Sequence, residues 1–387
     1  MKIAMIGAKG VPATVGGVER HVQELSTRLA AGGFDVSVYG RPWYTGYASW
    51  SVRNHDGIRS VMVPSIRTKH LDAISHTLLA TVHAMREDHD VYHFHGVGPA
   101  LVAFLPRIFR PRSRTIVTFH CVDRKHEKWG VLARLALAVG EWMACRIPQE
   151  TITVGETLHA YCRDRYGRDT TCISNGVAVQ RDVAPAIAAT RLADFGLTSR
   201  RYLLVVTRLV PHKSVQTTIA AFRQLRMERP EFRDLELAIV GAPAFTDTYR
   251  DELVVAAGGD ARIHFLGHQH GVALDALYQN CLAFVHASRS EGLPIVVLEA
   301  AAAGAVPIVS DIPEHEEVIR RIGGFTFRTG DVHDLVMTLD IVLRSSALVA
   351  MGAGIRDAVL GAYDWESRSV EVAACYRGYG PAPAFAS

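Results

Sequence analysis

A chain of 387 residues is long for one hydrophobic core and comfortable for two domains. Hydrophobic residues make up 49% and charged residues 21%, the balance of an ordinary globular protein; with no run of about 18 apolar residues, no membrane-spanning helix is expected. The formal net charge of +3 is uneven: residues 1–187 hold 23 Lys+Arg against 16 Asp+Glu, and the remainder hold 19 against 23. Six scattered cysteines without a CxxC pair argue against a zinc site and a disulfide framework and suit a reducing cytoplasm.

In chain order, strand-like runs fall at Lys2–Gly7, Asp35–Tyr39, Ser60–Val63, Val91–His95, Thr115–His120 and Thr151–Val154. The first is too short, and too soon interrupted by Lys9, for a signal peptide. Helical spacing marks Val18–Ala31, His70–Glu87 and Trp129–Arg146 between them, an order that builds a parallel sheet covered on both faces. Gln180–Arg201 reads as a polar connector. The order then restarts with strands at Tyr202–Thr207, Glu236–Val240, Ile263–Leu266, Ala283–His286, Val306–Ser310 and Gly324–Phe327. Helices fit at Val215–Glu228, Tyr249–Ala257, Leu274–Asn280, Pro294–Ala303 and Asp334–Arg344. The expected division is 1–187 and 188–364, with 365–387 a helix and tail that packs back on the first domain. Ligands in such sheets bind outside the carboxyl ends of the strands, so two facing sheets would make a cleft there.

Candidate chemistry gathers at those ends. Gly16-Gly17 closes the loop after the first strand, where glycines let backbone N–H groups approach a phosphate or sugar. A dinucleotide fingerprint fails: Gly7-Ala-Lys-Gly10 lacks G-x-G-x-x-G, and no acid follows the second strand. His120 ends its strand, followed by Asp123 and Lys128; His93 and His95 are expected to face opposite sides of theirs. Asp88-His-Asp90 is formally DxD but lies at the wrong end of a strand and reads as a cap or solvated turn. Arg208 and Lys213 follow the first strand of the second half, a fork and a point charge suited to a diphosphate. Glu291 sits on the loop after Ala283–His286 and Glu299 in the helix that follows. Such a pair suits a nucleotide-sugar site, although paired carboxylates also fit a glycosidase and helix-start glutamates are common in themselves. The basic excess at Arg107, Arg110, Arg112, Arg114, Arg124, Lys125 and Lys128 suits anionic headgroups or a phosphorylated acceptor, or is a solvated face; without aromatic interleaving, nucleic acid is not expected.

Together these pieces resemble the family 4 glycosyltransferases of the GT-B fold, two Rossmann-like parallel-sheet domains facing across a cleft. The resemblance rests on Gly16-Gly17-Val-Glu19, Thr118-Phe-His120, Ile173-Ser-Asn175-Gly176, Arg208 with Lys213, Phe265-Leu-Gly267, and Glu291 with Glu299. Thr68-Lys-His-Leu-Asp72, His95-Gly-Val-Gly-Pro99 and Lys128-Trp-Gly130 resemble a bacterial subgroup that makes surface polysaccharides and lipid-linked glycans. The resemblance implies a retaining, metal-independent transferase without a cofactor. It moves a sugar from a nucleotide-sugar to a glycan or lipid-linked acceptor. The basic charge of the first half, apart from the resemblance, suggests a peripheral membrane contact at the inner, cytoplasmic face. Arg208 and Lys213 would hold the diphosphate, Glu291 the donor-sugar hydroxyls and Glu299 the ribose. The backbone around Gly267 would flank the base, with Gly292 and Leu293 lining the sugar pocket. Gly16 and Gly17 would touch the phosphates, and His120 would stand by the reacting carbon. Leu293-Pro294 tilts the donor toward a UDP-sugar. Cys121, Arg124 and Gly155 depart from the subgroup, which often has glycine, tryptophan and serine there, and they put acceptor choice in question. A sugar-nucleotide 2-epimerase and a non-catalytic nucleotide-sugar or glycan binder are the alternatives.

Overall fold

A computed structural model describes residues 1–14, 16–68, 71–125, 130–179, 181–243 and 247–378. The chain forms two compact units, Met1–Gly176 together with the segment from Trp365, and Val177–Asp364.

The strands of the first unit are β1 (Lys2–Ile6), β2 (Asp35–Gly40), β3 (Val52–His55), β4 (Ile58–Met62), β5 (Val91–His95), β6 (Arg114–Phe119), β7 (Glu150–Thr153) and β8 (Thr171–Cys172). They form one sheet in the order β3-β4-β2-β1-β5-β6-β7-β8, parallel except for the antiparallel β3–β4 pair. Ile3, Ala4, Met5 and Ile6 are all buried, because helices cover both faces of a parallel sheet and the interior of a central strand meets no water. The hairpin β3–β4 was not expected from its polar first strand. Its turn, Asp56-Gly57, has φ of 50° and 78°, the left-handed pair a two-residue hairpin turn demands, and that dipeptide was the signal available.

The helix Trp365–Arg377 belongs to this first unit. Trp365, Val372 and Tyr376 join Val22, Leu25 and Leu29 of the helix Gly17–Ala31 in one core cluster. The Tyr376 hydroxyl lies 2.7 Å from Nδ1 of His93, and Arg28 Nε donates to Glu366 at 2.9 Å. Gly176 lies so close that a Cβ there would stand 2.4 Å from the Trp365 ring. The division therefore falls at Gly176, not after residue 187. Residues 177–187 bond within the second unit: Val177 bridges Asp364, and the Val183 N–H donates to Gln279 at 3.0 Å.

The second unit holds β9 (Tyr202–Val206), β10 (Glu236–Val240), β11 (Ile263–Gly267), β12 (Ala283–His286), β13 (Pro307–Ser310) and β14 (Phe325–Phe327). Their order is β11-β10-β9-β12-β13-β14, all parallel. The polar connector contains the helix Pro185–Asp194, opened by its proline and seated by Ala188 and Leu192 at i, i+4 spacing. Leu348–Ala362 is a further helix that the sequence reading left out. It packs so closely that a Cβ on Gly352 would stand 2.2 Å from the Gly304 carbonyl oxygen. Among the described residues no single helix is long and apolar enough to cross a membrane.

Candidate active site

In the second unit, β9 and β12 are neighbours, and the loops leaving their carboxyl ends carry the site. After β9 a 3-10 turn, Pro211–Lys213, turns the lysine inward; after β12 the loop carries Glu291. The Arg289 N–H donates to the His212 carbonyl at 2.8 Å, fastening one loop to the other. Lys213 Nζ then meets Glu291 Oε1 at 2.5 Å, with about 10% of each side chain exposed. His286, the last residue of β12, shares the same oxygen through Nε2 at 2.7 Å. Burial alone would raise the Glu291 carboxyl; the Lys213 ammonium and the His286 hydrogen bond outweigh it and hold the carboxyl well below the usual range. Burial lowers His286, with Glu291 pulling the other way. This is a fixed, mostly dry ion pair, with two ammonium donors left for a ligand anion.

Arg208 is exposed at the end of β9 and makes no ion pair among the described residues. Glu299 lies in the helix Ile295–Ala302 and accepts from the Tyr278 hydroxyl at 3.2 Å. Gly267 ends β11 with φ of 65°, exposed; Gly292 is half-buried and Leu293 buried behind Glu291.

Gly16, Gly17 and His120 belong to the first unit. Gly16 has φ of 116°, a backbone conformation that strains any residue with a side chain, and the Glu19 carboxylate occupies the space a Cβ would take. Glu19 folds back to accept from the Lys9 N–H at 3.2 Å, closing the loop after β1. The helix begun by Gly17 brings His21 against His120, ring centroids 4.8 Å apart. His120 Nε2 lies 3.3 Å from His95 Nδ1, and His21 Nδ1 lies 2.6 Å from Asn175 Oδ1. His21 Nε2 is buried without a partner among the described residues. Burial, then the neighbouring imidazoles, keeps His95 and His120 neutral far below pH 6.5.

His93 and His95 share one face of β5, with ring centroids 4.2 Å apart, contrary to the expectation that they face opposite sides. Residues i and i+2 of a strand point the same way. Asp90 Oδ2 accepts from the Lys2 N–H at 2.7 Å and Asp88 pairs with Arg110 at 3.1 Å, so Asp88-His-Asp90 is structural. Arg124, where the subgroup often has tryptophan, is drawn inward: with the Tyr161 and Tyr166 hydroxyls it bonds Oε2 of the fully buried Glu141, at 3.0, 2.7 and 2.7 Å. Lys69, His70, Lys128 and Trp129 lie outside the described residues, as does the Lys125 side chain.

The sequence reading missed His286, Tyr278 and His315, whose ring packs edge-on to His286 at 5.3 Å. It also found no metal-ligand spacing, yet two groups, His21/His95/His120 and His286/Glu291/His315, each bring three donor atoms within 4.8 Å of one another. His21, His95 and His120 lie far apart in the chain, and in the second group only the fold brings His315 to His286 and Glu291, which are near neighbours in sequence. In the second group the Lys213 ammonium already sits on Glu291, and a cation there would have to displace it.

Two parallel-sheet units of this topology, with charged loops at strand carboxyl ends, define the GT-B class. The structure superposes on sucrose-phosphate synthase from Thermosynechococcus elongatus with a TM-score of 0.81, at 20% identity over 97% of this chain and 98% of that one. It superposes on Anabaena HepE in complex with UDP and glucose at 0.78, 17% identity, 98% and 100% coverage. Two family models match in tandem: Glycosyltransferase Family 4 over residues 15–181 and Glycosyl transferases group 1 over 193–352. The chain belongs to the family 4 glycosyltransferases and is a glycosyltransferase. It is 29% identical to the glycogen synthase of Mycobacterium tuberculosis over 97% of this chain and 94% of that protein. It is 30% identical to the GDP-mannose-dependent alpha-(1-6)-phosphatidylinositol monomannoside mannosyltransferase of the same species, over 50% and 52%.

Proposed function

We propose that the protein is a retaining, metal-independent glycosyltransferase that moves a sugar from a nucleotide-sugar, with UDP as the leaving nucleotide, to a glycan or lipid-linked acceptor at the inner face of the membrane. The observation that carries this reading is the Lys213–Glu291 pair, held by His286 at the carboxyl ends of adjacent strands in a family 4 chain. The hard step is departure of a nucleoside diphosphate from an oxocarbenium-like carbon. A fixed ammonium aimed at the growing phosphate charge lowers that barrier by about 3 kcal/mol, and exposed Arg208 adds a planar fork for a second phosphate oxygen. Glu291 steadies Lys213 and offers its second oxygen to a sugar hydroxyl; Glu299 offers a carboxylate to the ribose. His120 of the first unit, neutral and buried, can accept or donate one hydrogen bond without bringing a charge. With cations supplied by side chains, the departing phosphate itself can take the acceptor's proton and no metal is needed. HepE holds UDP and the mannosyltransferase uses GDP-mannose, so both nucleotides belong in the test.

Thermal unfolding should be followed with UDP, GDP, dTDP and ADP, each with EDTA and then with Mg²⁺. A nucleotide at 100 times its dissociation constant adds about 2.7 kcal/mol by mass action. UDP is expected to give the largest rise in Tm, unchanged by EDTA, and EDTA is expected to leave turnover intact. A rise with GDP alone would reassign the donor. A strict need for Mg²⁺ would overturn the metal-free mechanism. No rise with any nucleotide would make a non-catalytic binder the better reading.

A further inference from the structure

The first unit brings three imidazoles from separate elements within reach of one another. His21 comes from the helix Gly17–Ala31, His95 ends β5, and His120 follows β6, the neighbouring strand. All three are buried, with exposures of 4%, 2% and 7%. One nitrogen from each ring lies within 4.8 Å of the other two. His21 Nδ1 faces Asn175 Oδ1 at 2.6 Å; that oxygen can only accept, so Nδ1 carries the proton. Nε2 of His21 is then a bare lone pair, buried and without a partner among the described residues. A buried polar atom left unpaired is costly, and each one asks for an explanation.

The other two rings supply the same kind of atom. His95 Nε2 lies 3.4 Å from Met5 Sδ; as the donor there it leaves Nδ1 as an acceptor, 3.3 Å from His120 Nε2. A tetrahedral zinc ion with Zn–N bonds of about 2.0–2.1 Å sets its ligand nitrogens about 3.3–3.4 Å apart. The His95–His120 pair already has that spacing, and bringing His21 to it takes a closure of about 1.5 Å at most. Asn175 does for His21 what an outer-shell carbonyl does for a metal ligand: it holds the ring and places the lone pair on the far nitrogen. His93 shows the contrast. Its two nitrogens are both engaged, by the Tyr376 and Thr118 hydroxyls at 2.7 Å each, so it stands outside the group. Imidazole donors select borderline transition metals over Mg²⁺ and Ca²⁺, which prefer oxygen.

We propose that His21 Nε2, His95 Nδ1 and His120 Nε2 form an inhibitory three-histidine site for a borderline divalent transition metal, with Zn²⁺ the best fit. On binding, the His120 proton moves from Nε2 to Nδ1, so all three rings coordinate as neutral imidazoles and none gives up a proton to solvent. Three protein ligands leave a fourth position for water or another ligand. His120, the most exposed of the three, stands where the ion enters. The ion is not a cofactor: a coordinated Nε2 can no longer hydrogen-bond, so catalysis needs the ring free. The inhibition rests on the part given to His120 above; the binding does not.

The test is titration of the metal-stripped full chain with Zn²⁺ against a chromophoric chelator, and with Co²⁺ followed by its visible absorption. One tight equivalent of Zn²⁺ is expected, and Co²⁺ should give the intense bands of a tetrahedral ion. His21→Ala should weaken Zn²⁺ binding at least a hundredfold and abolish those bands. Asn175→Ala, which removes only the outer hydrogen bond, should weaken it about ten- to a hundredfold. Where His21→Ala does not unfold cooperatively like the parent, Asn175→Ala decides. His315→Gln should leave the binding unchanged, which separates this site from the triad of the second unit. Turnover should fall as the one equivalent binds, return with EDTA and ignore Mg²⁺. Absence of tight Zn²⁺ binding would overturn the proposal. So would binding indifferent to both His21→Ala and Asn175→Ala, or the weak spectrum of an octahedral Co²⁺ ion. Tight binding with full turnover would strike the inhibition and the part given to His120. A chain without transferase activity that still binds Zn²⁺ through His21 would remove the proposed function and leave the metal site standing.

Discussion

Glu291→Ala and Lys213→Ala are each expected to lower turnover at least about a hundredfold, a loss of about 2.7 kcal/mol of transition-state stabilisation. The two residues do different work through one contact. Lys213 brings charge to the leaving diphosphate; Glu291, with His286, fixes where that charge stands. The pair is mostly buried, so removing one partner strands the other and can cost about 3–5 kcal/mol of stability. Lys213→Met and Glu291→Gln keep the shape and remove the charges, and the double variant leaves neither charge alone. If the lysine acts on the donor, the double variant should regain most of the lost Tm and none of the lost turnover. Wild-type rates in both single variants would sink the assignment. Recovery of turnover together with Tm in the double variant would reduce the pair to a structural ion pair.

Much of this was legible in the sequence because parallel sheets write themselves plainly. Tyr202–Val206 and Glu236–Val240 are buried along their whole length and read as apolar runs between helical periods. Lys213 and Glu291 were found because loops at strand carboxyl ends can be placed once the strands are. His286 was not, because a histidine closing a buried strand looks like any core residue until its partner is known. The imidazole cluster was hidden for the same reason: His21 comes from a helix, His95 and His120 from the ends of β5 and β6, and only adjacency in the sheet joins them.

That buried imidazole system also fixes how the first unit should respond to acid. Burial lowers His21 to about 4, against a hydrogen bond to Asn175 that favours its charged form. Burial lowers His76 to about 3, with Arg41 adding to the effect, and His93 to about 3, with His21 adding to it. Unfolded imidazoles take protons from about pH 6.5 downward, whereas these three refuse them until about pH 4 or below. The unfolded state therefore binds more protons throughout that window, and stability, full above pH 6.5, falls as the pH drops. Each group costs about 1.4 kcal/mol per pH unit, so by pH 5 the three together remove about 6 kcal/mol, comparable to the whole stability of many domains. His95 and His120 shift the same way. The Lys213–Glu291 pair does not contribute here: a carboxyl held low in the folded state loses its stabilisation only below about pH 4.5, where the unfolded carboxyl begins to protonate. Circular dichroism with urea melts at pH 7, 6 and 5 should show a steep loss of stability well before carboxylates titrate. His76, buried with Nε2 3.1 Å from the Gly40 carbonyl oxygen, gives the control. His76→Gln is expected to flatten the slope by about one proton, whatever it does to absolute stability. Stability unchanged from pH 7 to pH 5 would mean that these imidazoles are protonated in the folded protein, and the neutral role assigned to His120 would fall with them.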